Sequence, residues 1–297
     1  MSPSRRIHLA GAFLPCYNRS VTQRIQSLGQ KLGRVPAGWW IVLLTLPALF
    51  PLARSGFFES HDGLFHAYRL GALDRAVRAG ILYPRWFPEF AFGYGHPVLN
   101  FYGPLSYYWG LPFTLLGANA VLGLKFVFAT GLVASGLAMY LFARSYMGPA
   151  PALVAGVFYA YLPYHLLDVY LRGALAEFLS FVWFPLVLWA FHELVHASPA
   201  AMLARMAWAA LSLAALVITH SLSALIFAPV LLAYLALLLS RARSRGRAGA
   251  VAAALLLPVA LTFWVEDDPQ VPFDVRANAH FDVADPRAPN SSSCRPL

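Results

Sequence analysis

Between positions 59 and 85 the chain concentrates side chains that can move protons and hold anions. On a helix starting near Ser60 or Asp62 and stopping at Gly80, Asp62, His66 and Arg69 fall at i, i+4 and i+7 and share one face. Glu59 and His61 stand just ahead of them. A carboxylate beside an imidazole can serve as a general base or share a divalent cation. Asp62, Glu59 and His66 are therefore the catalytic candidates, with His61 as a substrate-binding candidate. The same pattern also describes a membrane-skimming amphipathic helix with an ordinary cap, whose Leu70, Leu73 and Val77 would lie on the bilayer.

Four further groups carry possible chemistry. Arg85, in YPRW, can hold a phosphate through its guanidinium or act as an interfacial anchor on its aromatic neighbours. Asp168, Arg172 and Glu177 lie in YHLLDVYLRGALAEF, between two apolar runs. A charge at a helix centre costs about 2.5–3.5 kcal/mol on insertion scales, so such residues face a wet cavity, pair, or lie at the membrane edge. Asp168 and Arg172 are spaced i, i+4 and can pair with each other. His220 is either a turn residue or lines a site. HELVH at 192–196 matches H-E-x-x-H. On a helix His192 and His196 could bind zinc while Glu193 activates water, as in a membrane metalloprotease, provided that a third ligand is found. The alternative is a polar helix end at the interface.

The elements that must position these residues are membrane helices. The chain is 59% hydrophobic and 12% charged, with mean hydropathy +0.60, whereas a soluble domain carries about 25% charged residues. The formal charge of +9 reads as orienting positives at span ends, not as a nucleic-acid surface. Two cysteines, Cys16 and Cys294, provide neither a disulfide framework nor a zinc cluster. Apolar runs at 39–52, 121–142, 150–167, 174–194, 202–219, 222–239 and 248–265 have helical length and no strand alternation. The expected fold class is all-α and polytopic, with about seven spans and a long amphipathic outer loop over 54–100. The run 101–116, with Pro104 and Pro112, is expected to be re-entrant or interfacial. Eight spans result if it crosses, but that would put the basic RARSRGR run on the outer side.

The basic segment 1–37 is expected to be cytoplasmic and not a cleaved signal peptide. Residues 38–265 form the membrane domain, and 266–297 a disordered tail in which Asn290 begins a glycosylation sequon. Orientation by positive charge puts the 54–100 loop, the 168–177 turn and His220 on one outer face, where they can converge.

DGLFHAYRL, LYPRW, FGYGHPVLNFYGPLSYY, YHLLDVYLRGALAEF and ITHSLSAL, in this order, resemble a group of bacterial multi-pass membrane proteins called 6-pyruvoyl-tetrahydropterin synthase-related, membrane domain. The resemblance covers roughly 38–265. No zinc-binding histidine triad of a pterin synthase is present. The layout is similar to GT-C glycosyltransferases, which use polyprenyl-phosphate-linked sugars at the outer face of the bacterial inner membrane. That resemblance implies Asp62 as the base, a divalent cation such as Mg or Mn nearby, Arg85 and Arg172 on the lipid phosphate, and Glu177 and His220 as secondary site residues. The lipid bilayer and a polyprenyl-phosphate sugar donor are the implied partners. A zinc protease, or a truncated, non-catalytic membrane protein, are the other expectations.

Overall fold

The computed structural model describes residues 36–56, 59–242 and 245–266. Most of the basic N-terminal segment, almost all of the C-terminal tail, both cysteines and the sequon lie outside the described residues. Among the described residues helices dominate, joined by turns and loops, and the one β feature is an isolated Phe87–His96 bridge. This is an all-α, polytopic membrane architecture.

Helix α1 (Ala37–Leu49) continues into a 3-10 turn at Phe50–Ala53. Helix α2 (Gly63–Arg78) follows. The run expected to be re-entrant, 101–116, is mostly the single helix α4 (Leu105–Leu115), preceded by a short α3 (Val98–Phe101). Then come α5 (Ala120–Arg144), α6 (Pro149–Ala160), α7 (Pro163–Leu167) with a π turn at Asp168–Arg172, α8 (Leu175–Val195), α9 (Met202–Thr219), α10 (Ser221–Ala242) and α11 (Arg245–Glu266). Five of the described helical segments are long and apolar enough to cross a bilayer: Ala120–Arg144, Pro149–Arg172, Leu175–Val195, Met202–Thr219 and Ser221–Arg241. Two shorter apolar helices, Gly38–Ala53 and Gly246–Pro258, occupy the other two expected runs.

Packing among these helices depends on small residues, because lipid removes most of the hydrophobic drive for helix association. At the α5–α6 contact a Cβ on Gly156 would stand 2.6 Å from the Gly136 carbonyl oxygen. Two apolar clusters result. One joins α2, α4, α5 and α8 through Leu70, Leu73, Tyr107, Phe128 and Phe178; the other joins α8 to α11 through Phe191, Leu194, Leu216 and Leu235.

The structure corrects the placement of α2. Leu70 and Leu73 are buried in protein, with Val77 packed partly against the same cluster. Leu70 lies over Gly110 of α4 and Gly123 of α5. A glycine on each neighbouring helix lets a leucine-bearing face dock on protein instead of lipid. Leu64, Phe65 and Tyr68 form the exposed apolar surface of α2.

Gly103 fixes the break between α3 and α4. An added Cβ there would sit 1.8 Å from the Thr219 carbonyl oxygen. Ser106 also hydroxyl-bonds that oxygen, at 3.5 Å. Gly103→Ala is expected to lower stability by about 1–3 kcal/mol through overpacking, seen as a lower thermal midpoint of the purified protein. An unchanged midpoint would contradict the α4–α9 contact.

Candidate functional site

Three segments far apart in sequence meet at one end of the bundle. The His61 N–H donates to the Leu171 carbonyl at 3.1 Å, and the Asp62 N–H to the Arg172 carbonyl at 2.9 Å. The start of α2 is thus sewn to the π turn before α8. Gly173 makes this possible twice over. Its φ of +65° suits glycine, and a Cβ there would come within 2.8 Å of the Gly63 nitrogen and the Ser60 hydroxyl. The third segment is the Thr219–His220 corner between α9 and α10, reached through Gly103 and Ser106. The start of α2 meets the 168–177 turn through these backbone bonds, and His220 lies within electrostatic reach of Glu177 and Arg172 of that turn.

Asp62 occupies the N-cap position of α2, but its side chain makes no capping hydrogen bond. An aspartate at this position usually accepts an N–H from the first turn. Here the carboxylate is exposed and interacts electrostatically with Tyr102 and Tyr107. His61 and Glu59 are also exposed, and Glu59 makes no ion pair among the described residues.

His66 is different: it is 1% exposed. Its Nδ1 lies 2.9 Å from the Tyr107 hydroxyl and its Nε2 3.4 Å from the Tyr102 hydroxyl. Burial, aided by the Arg69 charge, pushes the imidazole down to about 3, against a hydrogen bond to the Gly173 backbone. Burial also pushes the Tyr102 phenol up to about 12 and raises Tyr107. His66 is therefore a neutral strut that orients two protonated phenols.

Arg69, on the same face, lays its guanidinium 4.9 Å from the centre of the Tyr102 ring and donates to the Tyr107 hydroxyl at 3.3 Å. No carboxylate pairs with it among the described residues. This half-buried cation touches the neutral phenols of Tyr102 and Tyr107.

Arg172 has the opposite character. It contacts Asp168 Oδ1 at 2.6 Å and Glu177 Oε2 at 2.8 Å, and donates to the Tyr164 hydroxyl at 2.8 Å. The Tyr164 hydroxyl in turn donates to Glu177 Oε1 at 2.6 Å. The pairing anticipated for Asp168 and Arg172 is realised and extended to Glu177. One guanidinium between two carboxylates leaves a net negative cluster, a poor seat for phosphate. Five-residue π turns recur at functional sites in helices; here the turn brings Asp168, fully buried, under Arg172. His220 joins the same electrostatic neighbourhood. Burial pushes it down while Glu177 pulls it up, and its Nδ1 lies 2.7 Å from the Ser223 hydroxyl.

Arg85 is not brought into this network. It is half-buried, its charge acts on Tyr83, and its Nε has no hydrogen-bond partner. The HELVH residues lie at the other end of α8, roughly 22 Å along the axis from Glu177 at 1.5 Å per residue. His192 and His196 stack at 4.2 Å. His196 Nδ1 faces the His192 carbonyl at 2.8 Å, His192 Nδ1 lies 3.0 Å from the Tyr146 hydroxyl, and Glu193 pairs with Arg205 at 3.3 Å. Among the described residues no group of three His, Cys, Asp or Glu side chains is placed to hold a metal ion, here or around Asp62.

Tyr102, Tyr107, Tyr164 and Arg69 are not among the site residues expected from the sequence. The available signal was the run of phenols beside Gly103-Pro104 in an otherwise apolar stretch, together with an arginine on the Asp62 face. Comparison with known proteins finds no matching family model, no matching curated protein and no matching solved structure.

Proposed function

We propose that the chain is a GT-C-like membrane glycosyltransferase that takes a sugar from a polyprenyl-phosphate donor at the outer face of a bacterial inner membrane, with its N-terminus cytoplasmic. The observation that carries this reading is the pairing of unequal charges on one face of α2. Asp62 is a carboxylate left off its own helix cap, and Arg69 is a guanidinium with no acid partner, bracketed by Tyr102 and Tyr107. Both stand where three segments meet at one end of an apolar bundle.

In this reading Asp62 accepts the proton of an acceptor hydroxyl as that oxygen bonds to the anomeric carbon. The bond from the anomeric carbon to phosphate oxygen breaks, and its electron pair leaves with polyprenyl phosphate. Arg69 takes the growing phosphate charge, which is the role first expected of Arg85 and Arg172. Arg172 then holds the π turn and so the position of Asp62. Among the described residues no three His, Cys, Asp or Glu side chains are grouped to hold a divalent ion.

The test is release of polyprenyl phosphate from a polyprenyl-phosphate hexose by the full chain in nanodiscs. Arg69→Gln is expected to raise the donor KM about 10- to 100-fold, the worth of a hydrogen bond to a charged group, with Arg69→Lys recovering part of it. An unchanged KM in Arg69→Gln would remove Arg69 from the donor site, and no turnover of such donors by the wild-type chain would end the proposal.

A further inference from the structure

A second site lies beside the first apolar helix, and none of the Asp62-cluster side chains lines it. A groove of about 670 Å³ runs between the end of α1 and the start of α5, within the range of small-molecule and lipid pockets. Its walls are Leu49, Leu52, Val121, Leu122, Phe126 and Ala129. Leu122 and Phe126 are each about 40% exposed on the helix surface, so the groove borders the region where lipid chains run. Its polar lining differs in kind: Arg54, Lys125, Ser55 and Asn119.

The two cations are the notable part. Lys125 is six residues into an apolar helix, where a charge is unfavourable unless it reaches the interface or a partner. It reaches back to the Arg54 carbonyl, with Nζ at 2.5 Å. That contact satisfies one donor and leaves the charge unneutralised. Arg54 is exposed, and neither cation has an ion pair among the described residues. The start of α5 also turns its positive end towards the same place, capped by Asn119 on the Leu122 N–H at 2.8 Å. Two unpaired cations over apolar walls match the chemistry of an anionic phosphate headgroup and its chain.

We propose that this groove binds one anionic diacyl phospholipid of the phosphatidylglycerol type, phosphate between Arg54 and Lys125, acyl chain along Leu49, Leu122 and Phe126. Ser55 and Asn119 face the headgroup. The lipid enters sideways from the bilayer, which explains why apolar walls and free cations occur together at the groove. This site is independent of whether the Asp62 cluster is catalytic.

The full chain, stripped of lipid in detergent, is titrated with phosphatidylglycerol, phosphatidylcholine, glycerol phosphate and an isoprenyl phosphate, and bound lipid is read by native mass spectrometry. The expected result is retention of phosphatidylglycerol well above phosphatidylcholine, with no retention of glycerol phosphate. Removing both charges in Arg54→Gln/Lys125→Gln is expected to weaken phosphatidylglycerol about thirtyfold, from roughly fivefold per cation near a membrane surface, and Arg54→Lys/Lys125→Arg is expected to restore it. Ala129→Trp, which fills the groove while leaving both cations, is expected to weaken it as well. Equal retention of phosphatidylglycerol and phosphatidylcholine, or no loss in the double Gln variant, would overturn the proposal. So would retention of glycerol phosphate alone or tighter retention of the isoprenyl phosphate. The charge-restoring pair separates lost binding from lost folding, since it keeps the fold's burden of long side chains.

Discussion

Asp62→Asn is expected to slow donor turnover about 10²- to 10⁴-fold, the usual contribution of a positioned general base, while leaving the thermal midpoint within a degree or two of wild type. Two features of the structure make this combination specific. The Asp62 side chain makes no cap bond, so removing its charge takes little from the helix, where losing a working cap would cost about 1 kcal/mol. Its backbone N–H, which docks on the Arg172 carbonyl, is untouched by the substitution. A base role and a cap role therefore part company at one residue. A large drop in stability with little loss of turnover would assign Asp62 to the fold alone.

Arg172→Ala is expected to destabilise the protein by about 3 kcal/mol, the low end for breaking a buried pair because Arg172 itself remains about a third exposed. Asp168 is fully buried, and Arg172 is its ion-pair partner. Truncation leaves that carboxylate with no compensating charge in an apolar surround. Glu177 also loses its partner, although its bond from Tyr164 stays. The prediction has an internal control. Asp168→Asn/Arg172→Gln removes both charges of the pair and is expected to be less damaging than Arg172→Ala, because a neutral amide tolerates burial where a lone carboxylate does not. Thermal unfolding in one detergent, for the wild type and the two variants side by side, gives the comparison. Equal loss in Arg172→Ala and the double variant would show that the ion pair does not govern the turn.

Much of the architecture could be read from hydropathy, since a run such as 202–219 has few other options than a helix, and the structure matches it end for end. The stop of α2 at Gly80 was also legible, because φ +92° there requires the residue type that the sequence supplies. The face of α2 was not. Leucines spaced for one side do not say whether lipid or protein covers them; the answer lay in Gly110 and Gly123 on other helices, which a single-helix pattern does not contain. The same limit applied to the charges. An i, i+4 spacing allowed Asp168 and Arg172 to pair, but the recruitment of Glu177 needed the π turn and Gly173, and periodicity does not announce an extra residue in a turn. Arg69 shows the converse. Its place on the Asp62 face was plain, whereas its freedom from carboxylates could be judged only from the neighbours that the fold brought to it.

The account depends on the start of α2, the 168–177 turn and the α9–α10 corner sharing one side of the membrane. Single cysteines placed by His61→Cys, Ser221→Cys and Ser198→Cys, in a chain with Cys16 and Cys294 replaced, can be labelled in intact cells with a membrane-impermeant maleimide. The account predicts that positions 61 and 221 label from the same side, and that position 198, at the far end of α8, labels only after the membrane is opened. Labelling of 61 and 221 from opposite sides would contradict it.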